Sequence, residues 1–395
     1  MFLSLGLIVV MGFLGGFLFE KIRMPKIVWY LLLGIILGPS LLNLLDGGLL
    51  NISTYLRQIA LVIIISRSGL SLDWKGLKKI GRTAILMCFL PATFEMIGVM
   101  LFSVLILKVS LFEGLLLGAV LAAVSPAIVV PRMIEAKKKG YNPHVCEVIL
   151  AGSSCDDVYV IVLFYAFLGL VKNNTFTPIT LLQIPSSIIL GVLLGVIGAI
   201  LLYYLFKLLK TKTVINVILM LGTSFLFMGI EEILKPYVSV SALLGIMSMG
   251  IILASKAKKE AIEMEASYQR VWNFFEIILF ALVGATVNLN YALSINGLYA
   301  LIVIVLGLCF RMVGVYLCLI KSPFHKKERL YMILSYLPKA TVQASIGSIA
   351  LMEGLAVGEM VLTTAVISIL FTAPLGAILM DQTRDKLLTK TSIEP

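Results

Sequence analysis

Charge is scarce in this chain. Asp, Glu, Lys and Arg together make up only 13% of its 395 residues, where a soluble domain carries about a quarter. The apolar residues reach 60%, which leaves no room for a sizeable soluble domain. Histidine is nearly absent: His144 and His325 fall in predicted loops, so no zinc site is expected. Cys88, Cys146, Cys155, Cys309 and Cys318 lie in or beside apolar runs without metal-like spacing. They read as small hydrophobes rather than as a disulfide framework. No nucleotide loop or catalytic triad is evident, so neither an enzyme nor a cofactor is expected. A basic segment before the first apolar run is also missing; Lys21, Arg23 and Lys26 follow it instead. That order argues for a retained first span with the N-terminus outside.

What is present is a succession of apolar runs of about 20 residues, the length that crosses a bilayer. They give an all-α polytopic membrane protein with thirteen predicted spans: 2–19, 26–45, 52–70, 83–106, 112–133, 145–171, 180–206, 213–233, 238–255, 271–290, 297–320, 329–351 and 360–380. The net charge of +11 does not imply nucleic acid, because the basic residues form no patch. They collect in alternate loops, leaving Arg57, Lys108, Lys172 and Lys235 on the poorer side and Arg67, Arg311 and Lys339 within spans. The positive-inside rule then puts the C-terminus in the cytoplasm. The expected setting is a multi-pass plasma (inner) membrane protein with a short tail, 381–395.

The few charges inside spans are the informative ones. Asp156 and Asp157 are adjacent in an apolar run, and a carboxylate at bilayer depth costs about 2.5–3.5 kcal/mol on insertion scales. Helical rise places both about 17 Å from the inner end of their span, Glu95 about 18 Å, and Arg311 and Lys339 about 15 Å. Charges at one depth can neutralise one another. A pairing of Glu95 with Arg311 is favoured because it leaves both aspartates free; Arg311 with Asp157 is the alternative. Lys339 is either a titrating amine or the neutraliser of a helix end.

Two spans carry breaks. Val124-Ser125-Pro126 interrupts the fifth, which ends in Pro131, and Pro338-Lys339 interrupts the twelfth. Proline frees a backbone carbonyl, and irregular backbone at membrane depth is tolerated where it lines a cavity or is buried in protein. The order charge, break, acids in one half and charge, break in the other, starting from opposite sides, is the pattern of an inverted repeat with two crossing discontinuous helices. Such a site offers oxygen ligands to a hard cation such as Na⁺ or Li⁺. Adjacent acids repel, so one holds a proton until a cation expels it. Ser153, three residues before Asp156 on the same face, is either a further ligand or a packing residue.

Three strings carry a resemblance: Ala123-Val124-Ser125-Pro126-Ala127-Ile128-Val129-Val130-Pro131, Ala151-Gly152-Ser153-Ser154-Cys155-Asp156-Asp157 and Leu337-Pro338-Lys339-Ala340-Thr341-Val342-Gln343-Ala344. They resemble the monovalent cation:proton antiporters of the NhaA-type fold, closest to the two-aspartate NHA branch; Arg67 to Asp73 fits that branch too. The resemblance implies a homodimer. Residues 1–70 and 213–290 would form a dimerisation domain, 83–171 and 297–380 an ion-transporting core, and 180–206 a linker helix. The core would move in elevator-like alternating access, with Na⁺ at Asp156 and Asp157 and with Val124 and Ser125 at the broken helix. Arg311 stands where the wider family has a lysine, and an arginine does not release a proton, so 1:1 exchange follows as an expectation.

A K⁺/H⁺ antiporter of the same fold is the nearest rival. A bile-acid-type sodium symporter would not need the paired acids. An intramembrane aspartyl protease needs its acids on separate helices, and the other aspartates (46, 73, 381, 385) fall at span ends. A gated cation channel is the rival from another class.

Overall fold

In the computed structural model, residues 1–71, 81–173, 178–209, 212–234, 237–238 and 240–390 are described. Sequence expectations resting on Leu72, Asp73, Lys75, Lys78, Lys79, Lys210 and Lys235, and on the last five residues, lie outside them.

The chain is all-helical, and among the described residues the sole β pairing is an isolated antiparallel bridge between Tyr141 and Lys390. In order the α-helices are α1 (Phe2–Lys21), α2 (Lys26–Leu37), α3 (Gly47–Ser71), α4 (Arg82–Met87), α5 (Leu90–Phe102, continued by a π-helical turn Ser103–Leu107), α6 (Leu111–Ala122), α7 (Pro126–Lys138), α8 (Pro143–Asn173), α9 (Pro178–Leu209), α10 (Thr213–Leu234), α11 (Ala242–Lys256), α12 (Lys258–Ala285), α13 (Leu289–Ala292), α14 (Ile295–Leu319), α15 (Lys326–Ser335), α16 (Thr341–Met352) and α17 (Gly358–Leu387). Nine helical stretches among the described residues are long and apolar enough to cross a bilayer; α2, α11 and α16 are shorter apolar helices. The chain is a multi-pass membrane protein.

Several boundaries differ from the sequence expectation for local reasons. The second span, placed at 26–45, is helical only to Leu37, because Gly38-Pro39 turns the chain. The tenth, placed at 271–290, belongs to a helix that starts at Lys258; its polar first turns lie outside any hydropathy window. The fifth does not end at Pro131, which sits inside α7, and that helix runs on to Lys138.

Without water to drive apolar helices together, packing in a membrane relies on close backbone approach at small residues. Two groups of helices show such close approaches. In the first, a Cβ on Gly34 of α2 would stand 1.9 Å from the Ala281 carbonyl of α12, and one on Gly69 of α3 would stand 2.5 Å from the Met247 carbonyl of α11. In the second, a Cβ on Gly307 of α14 would meet Val99 of α5 at 2.5 Å. The entry to α6 is fixed by Ser110 and Glu113, a reciprocal cap in which Ser110 N donates to Glu113 Oε2 at 2.8 Å and Glu113 N to Ser110 Oγ at 3.4 Å. That cap sets where the helix reaches its break.

Candidate cation site

Helix α6 stops at Ala122 and α7 begins at Pro126; α15 stops at Ser335 and α16 begins at Thr341. The two gaps meet: Ser125 N donates to the Pro338 carbonyl at 2.8 Å. Each broken helix exposes backbone groups that would be costly if left unpaired, and side chains from four other places take them up. Arg311 of α14 donates to the Ala122 carbonyl. Gln343 of α16 donates to the Ala123 carbonyl at 2.7 Å and accepts from Ala340 N at 2.9 Å. Asp156 of α8 accepts from Val124 N at 2.9 Å, and Thr372 of α17 accepts from Lys339 N at 3.0 Å.

The charges form one cluster around this crossing. Arg311 is fully buried; its Nη1 meets Glu95 Oε2 at 2.7 Å and its Nη2 meets Asp156 Oδ2 at 2.7 Å. Lys339 Nζ meets the same Glu95 oxygen at 2.5 Å. The guanidinium also lies 5.3 Å from the centroid of the Tyr336 ring. Two cations and two carboxylates thus neutralise one another, which makes their shared burial tolerable. The pairing differs from the sequence preference in one respect. Arg311 does bind Glu95, but its second fork holds Asp156, so the two aspartates are not both free, and the alternative partner Asp157 is not engaged. A planar guanidinium can serve two carboxylates at once, an option that choosing a single partner left out.

Asp157 stands apart. It is buried, with 6% of its surface exposed, and its Oδ1 has no hydrogen-bond partner among the described residues. Asp156 Oδ1 and Ser125 Oγ are likewise buried without a partner. Asp157 and Thr341 line a cavity of about 1140 Å³ that is also bounded by Lys26, Arg67, Arg132 and Glu276. Ion pairs on its walls join one helix to another. Arg132 of α7 forks Asp381 of α17 through two bonds of 3.1 Å, whereas Arg67 of α3 meets Glu265 of α12 at 2.9 Å and Lys26 of α2 meets Glu276 of α12 at 3.3 Å.

The remaining sequence candidates fall as follows. The Ser153 hydroxyl donates to the Leu150 carbonyl of its own helix at 3.2 Å. Val124 lies in the first break and contributes its N–H to Asp156. Pro126 starts α7, and Pro338 supplies the carbonyl that Ser125 N meets. Gln343 is a functional residue outside the sequence candidates, although a primary amide three residues beyond a break, at membrane depth, is itself a signal. Thr372 left no such trace, since a threonine can bond within its own helix anywhere.

Comparisons with known proteins bear on the family and the fold. Residues 6–381 match the family model described as "Sodium/hydrogen exchanger, transmembrane". The chain is 31% identical over 383 residues to "Sodium/hydrogen exchanger 9B2" of Homo sapiens, covering 89% of this chain and 70% of that protein. It is also 31% identical over 352 residues to "Sodium/hydrogen exchanger 9B1" of Homo sapiens, covering 86% and 67%. Its fold is similar to that of the sodium proton antiporter MjNhaP1 from Methanocaldococcus jannaschii, with a TM-score of 0.81, 23% identity and 97% of each chain covered. With the family model spanning nearly the whole chain and the crossing built as described, this chain belongs to the sodium/hydrogen exchanger family of monovalent cation:proton antiporters.

Proposed function

We propose that the chain exchanges Na⁺ or Li⁺ for H⁺ across the plasma membrane, one for one, at Asp157. The observation that carries this reading is the charge count at the crossing. Glu95, Asp156, Arg311 and Lys339 sum to zero through direct contacts, and Asp157, the acid next to Asp156, is buried with an unpartnered oxygen and lines a cavity. An ionised Asp157 in that position needs one positive charge. A proton supplies it, or a monovalent cation does, and the two exclude each other. When Na⁺ arrives at the protonated carboxyl, the O–H bond breaks, the proton leaves, and the cation takes its place. Ser125 Oγ and Asp156 Oδ1 are the further oxygens available to a hard cation.

The wider reading follows. Arg23, Lys26, Arg132, Lys139 and Arg384 line the cavity, all from the basic side of the chain, so the conformation is cytoplasm-facing with the N-terminus outside and the C-terminus inside. Residues 1–70 and 213–290 form the wall that dimerises, residues 83–171 and 297–380 the moving core, and 180–206 the linker. Ion pairs confined to one wall leave the cavity walls free to slide, which supports elevator-like movement.

Proteoliposomes carrying a pH-sensitive dye test this. Na⁺ or Li⁺ added outside should change luminal pH, and a membrane potential set with K⁺ and valinomycin should not alter the rate. No cation-dependent flux from well-folded protein would overturn the reading. A response to K⁺ alone would move the substrate, and a rate steeply dependent on potential would reject one-for-one exchange.

A further inference from the structure

One buried cation takes no part in the crossing. Arg57 of α3 is 4% exposed, and among the described residues no carboxylate reaches it. Its Nε and Nη2 make only long bonds of 3.4 Å, to the Ser53 carbonyl and Thr54 Oγ1 of its own helix, and its Nη1 has no partner. Removing a guanidinium from water without a counter-charge is expensive, and nothing in its contacts explains it as a structural pair.

Its position suggests a use. Leu61, Ile64, Ile65 and Ser68 of α3 face Asp157, Ile161, Thr341, Val342, Ser345 and Ile346 across a small cavity of about 20 Å³. Arg57 precedes Leu61 by four residues and Ile64 by seven, so it lies on that same face, about 6 Å beyond Leu61 along the axis. It lies away from the large cavity, whose α3 lining begins at Ile64 and continues through Arg67, Ser68, Leu70 and Ser71. A cation slipping past Asp157 along this seam would leave the cavity, cross apolar side chains and then meet an uncompensated positive charge.

We propose that Arg57 is the coupling determinant of the exchanger: a fixed charge on the scaffold wall that repels any cation moving past Asp157 without the core. The inference rests on the reading of Asp157 as the cation site. It assigns Arg57 no ligand and no step in the exchange itself. Its role is to make the seam impassable, so that Na⁺ crosses only when the core carries it and a proton returns.

The experiment is ²²Na⁺ entry into proteoliposomes under an inside-negative potential at equal pH on both sides, with proton efflux followed in the same vesicles. Arg57→Gln should admit Na⁺ in excess of protons, with potential-driven entry rising on the order of tenfold, the factor expected when a unit charge about 10 Å away is removed at an effective dielectric of about 20. Arg57→Lys should keep the wild-type ratio. Thr54→Glu, which neutralises the arginine in place, should leak as Arg57→Gln does, and it serves if that variant does not fold. Equal Na⁺-to-H⁺ ratios in the wild type, Arg57→Gln and Thr54→Glu would overturn the inference, as would a leak in Arg57→Lys equal to that in Arg57→Gln. A wild type without exchange would contradict the proposed function instead, while the leak comparison among the variants would still be read.

Discussion

At the crossing of the broken helices, Arg311 meets Glu95, Asp156 and the Ala122 carbonyl; on the facing wall, Arg57 has two long bonds within its own helix. Both guanidinium groups are buried. The difference teaches that burial alone does not define a role. Arg311 completes a neutral cluster and holds two broken backbones together, whereas Arg57 keeps its charge uncompensated where a cation would have to pass. The same contrast separates the two aspartates. Asp156 is anchored by Arg311 and Val124 N–H, and Asp157, one residue on, keeps an oxygen without a partner.

Substitutions sharpen that contrast. The largest effect is expected at Asp157. Asp157→Asn should abolish Na⁺-dependent proton flux while leaving thermal stability in detergent unchanged or higher, because it removes a buried charge with no partner to strand. A variant that transports normally would place the exchanged proton elsewhere. Arg311→Gln should act chiefly on stability, by about 3–5 kcal/mol, the cost of leaving buried carboxylates without their partner; denaturation of the purified protein reads it. Asp156→Asn combined with Arg311→Gln should recover part of that loss. Gln343→Leu should cost about 1–3 kcal/mol, since it strands the Ala123 carbonyl and Ala340 N–H at the crossing. Ser153→Ala should be smallest, within about 1 kcal/mol and with unaltered Na⁺ dependence, because its hydroxyl bonds Leu150 of its own helix. A weakened Na⁺ response in Ser153→Ala would make that serine a ligand after all.

Much of this site was legible in the sequence. Depth counted from loop boundaries put Glu95, Asp156, Asp157, Arg311 and Lys339 in one layer, because helical rise is constant and membrane thickness is fixed. Prolines marked both breaks, because the missing donor is a local property. What depth cannot supply is the angle around each helix, and angle decides whether Arg311 turns to Asp156 or Asp157. Nor could composition show that Asp156 would be held by the backbone of Val124, since that bond exists only once α6 has stopped and α8 has packed against it. Arg57 illustrates the reverse: loop counting assigned it to the outer side as one of several unremarkable basic residues, and only the packed structure leaves it buried and alone.

The central claim is that Na⁺ and H⁺ compete for Asp157. Its most direct test is proton release on cation binding, measured with a pH indicator in weakly buffered detergent solution of the purified protein. Adding Na⁺ should release protons saturably, approaching one per chain, and K⁺ at the same ionic strength should release fewer. In Asp157→Asn the release should vanish, while Ser153→Ala should match the wild type. Proton release that persists undiminished in folded Asp157→Asn would contradict the account.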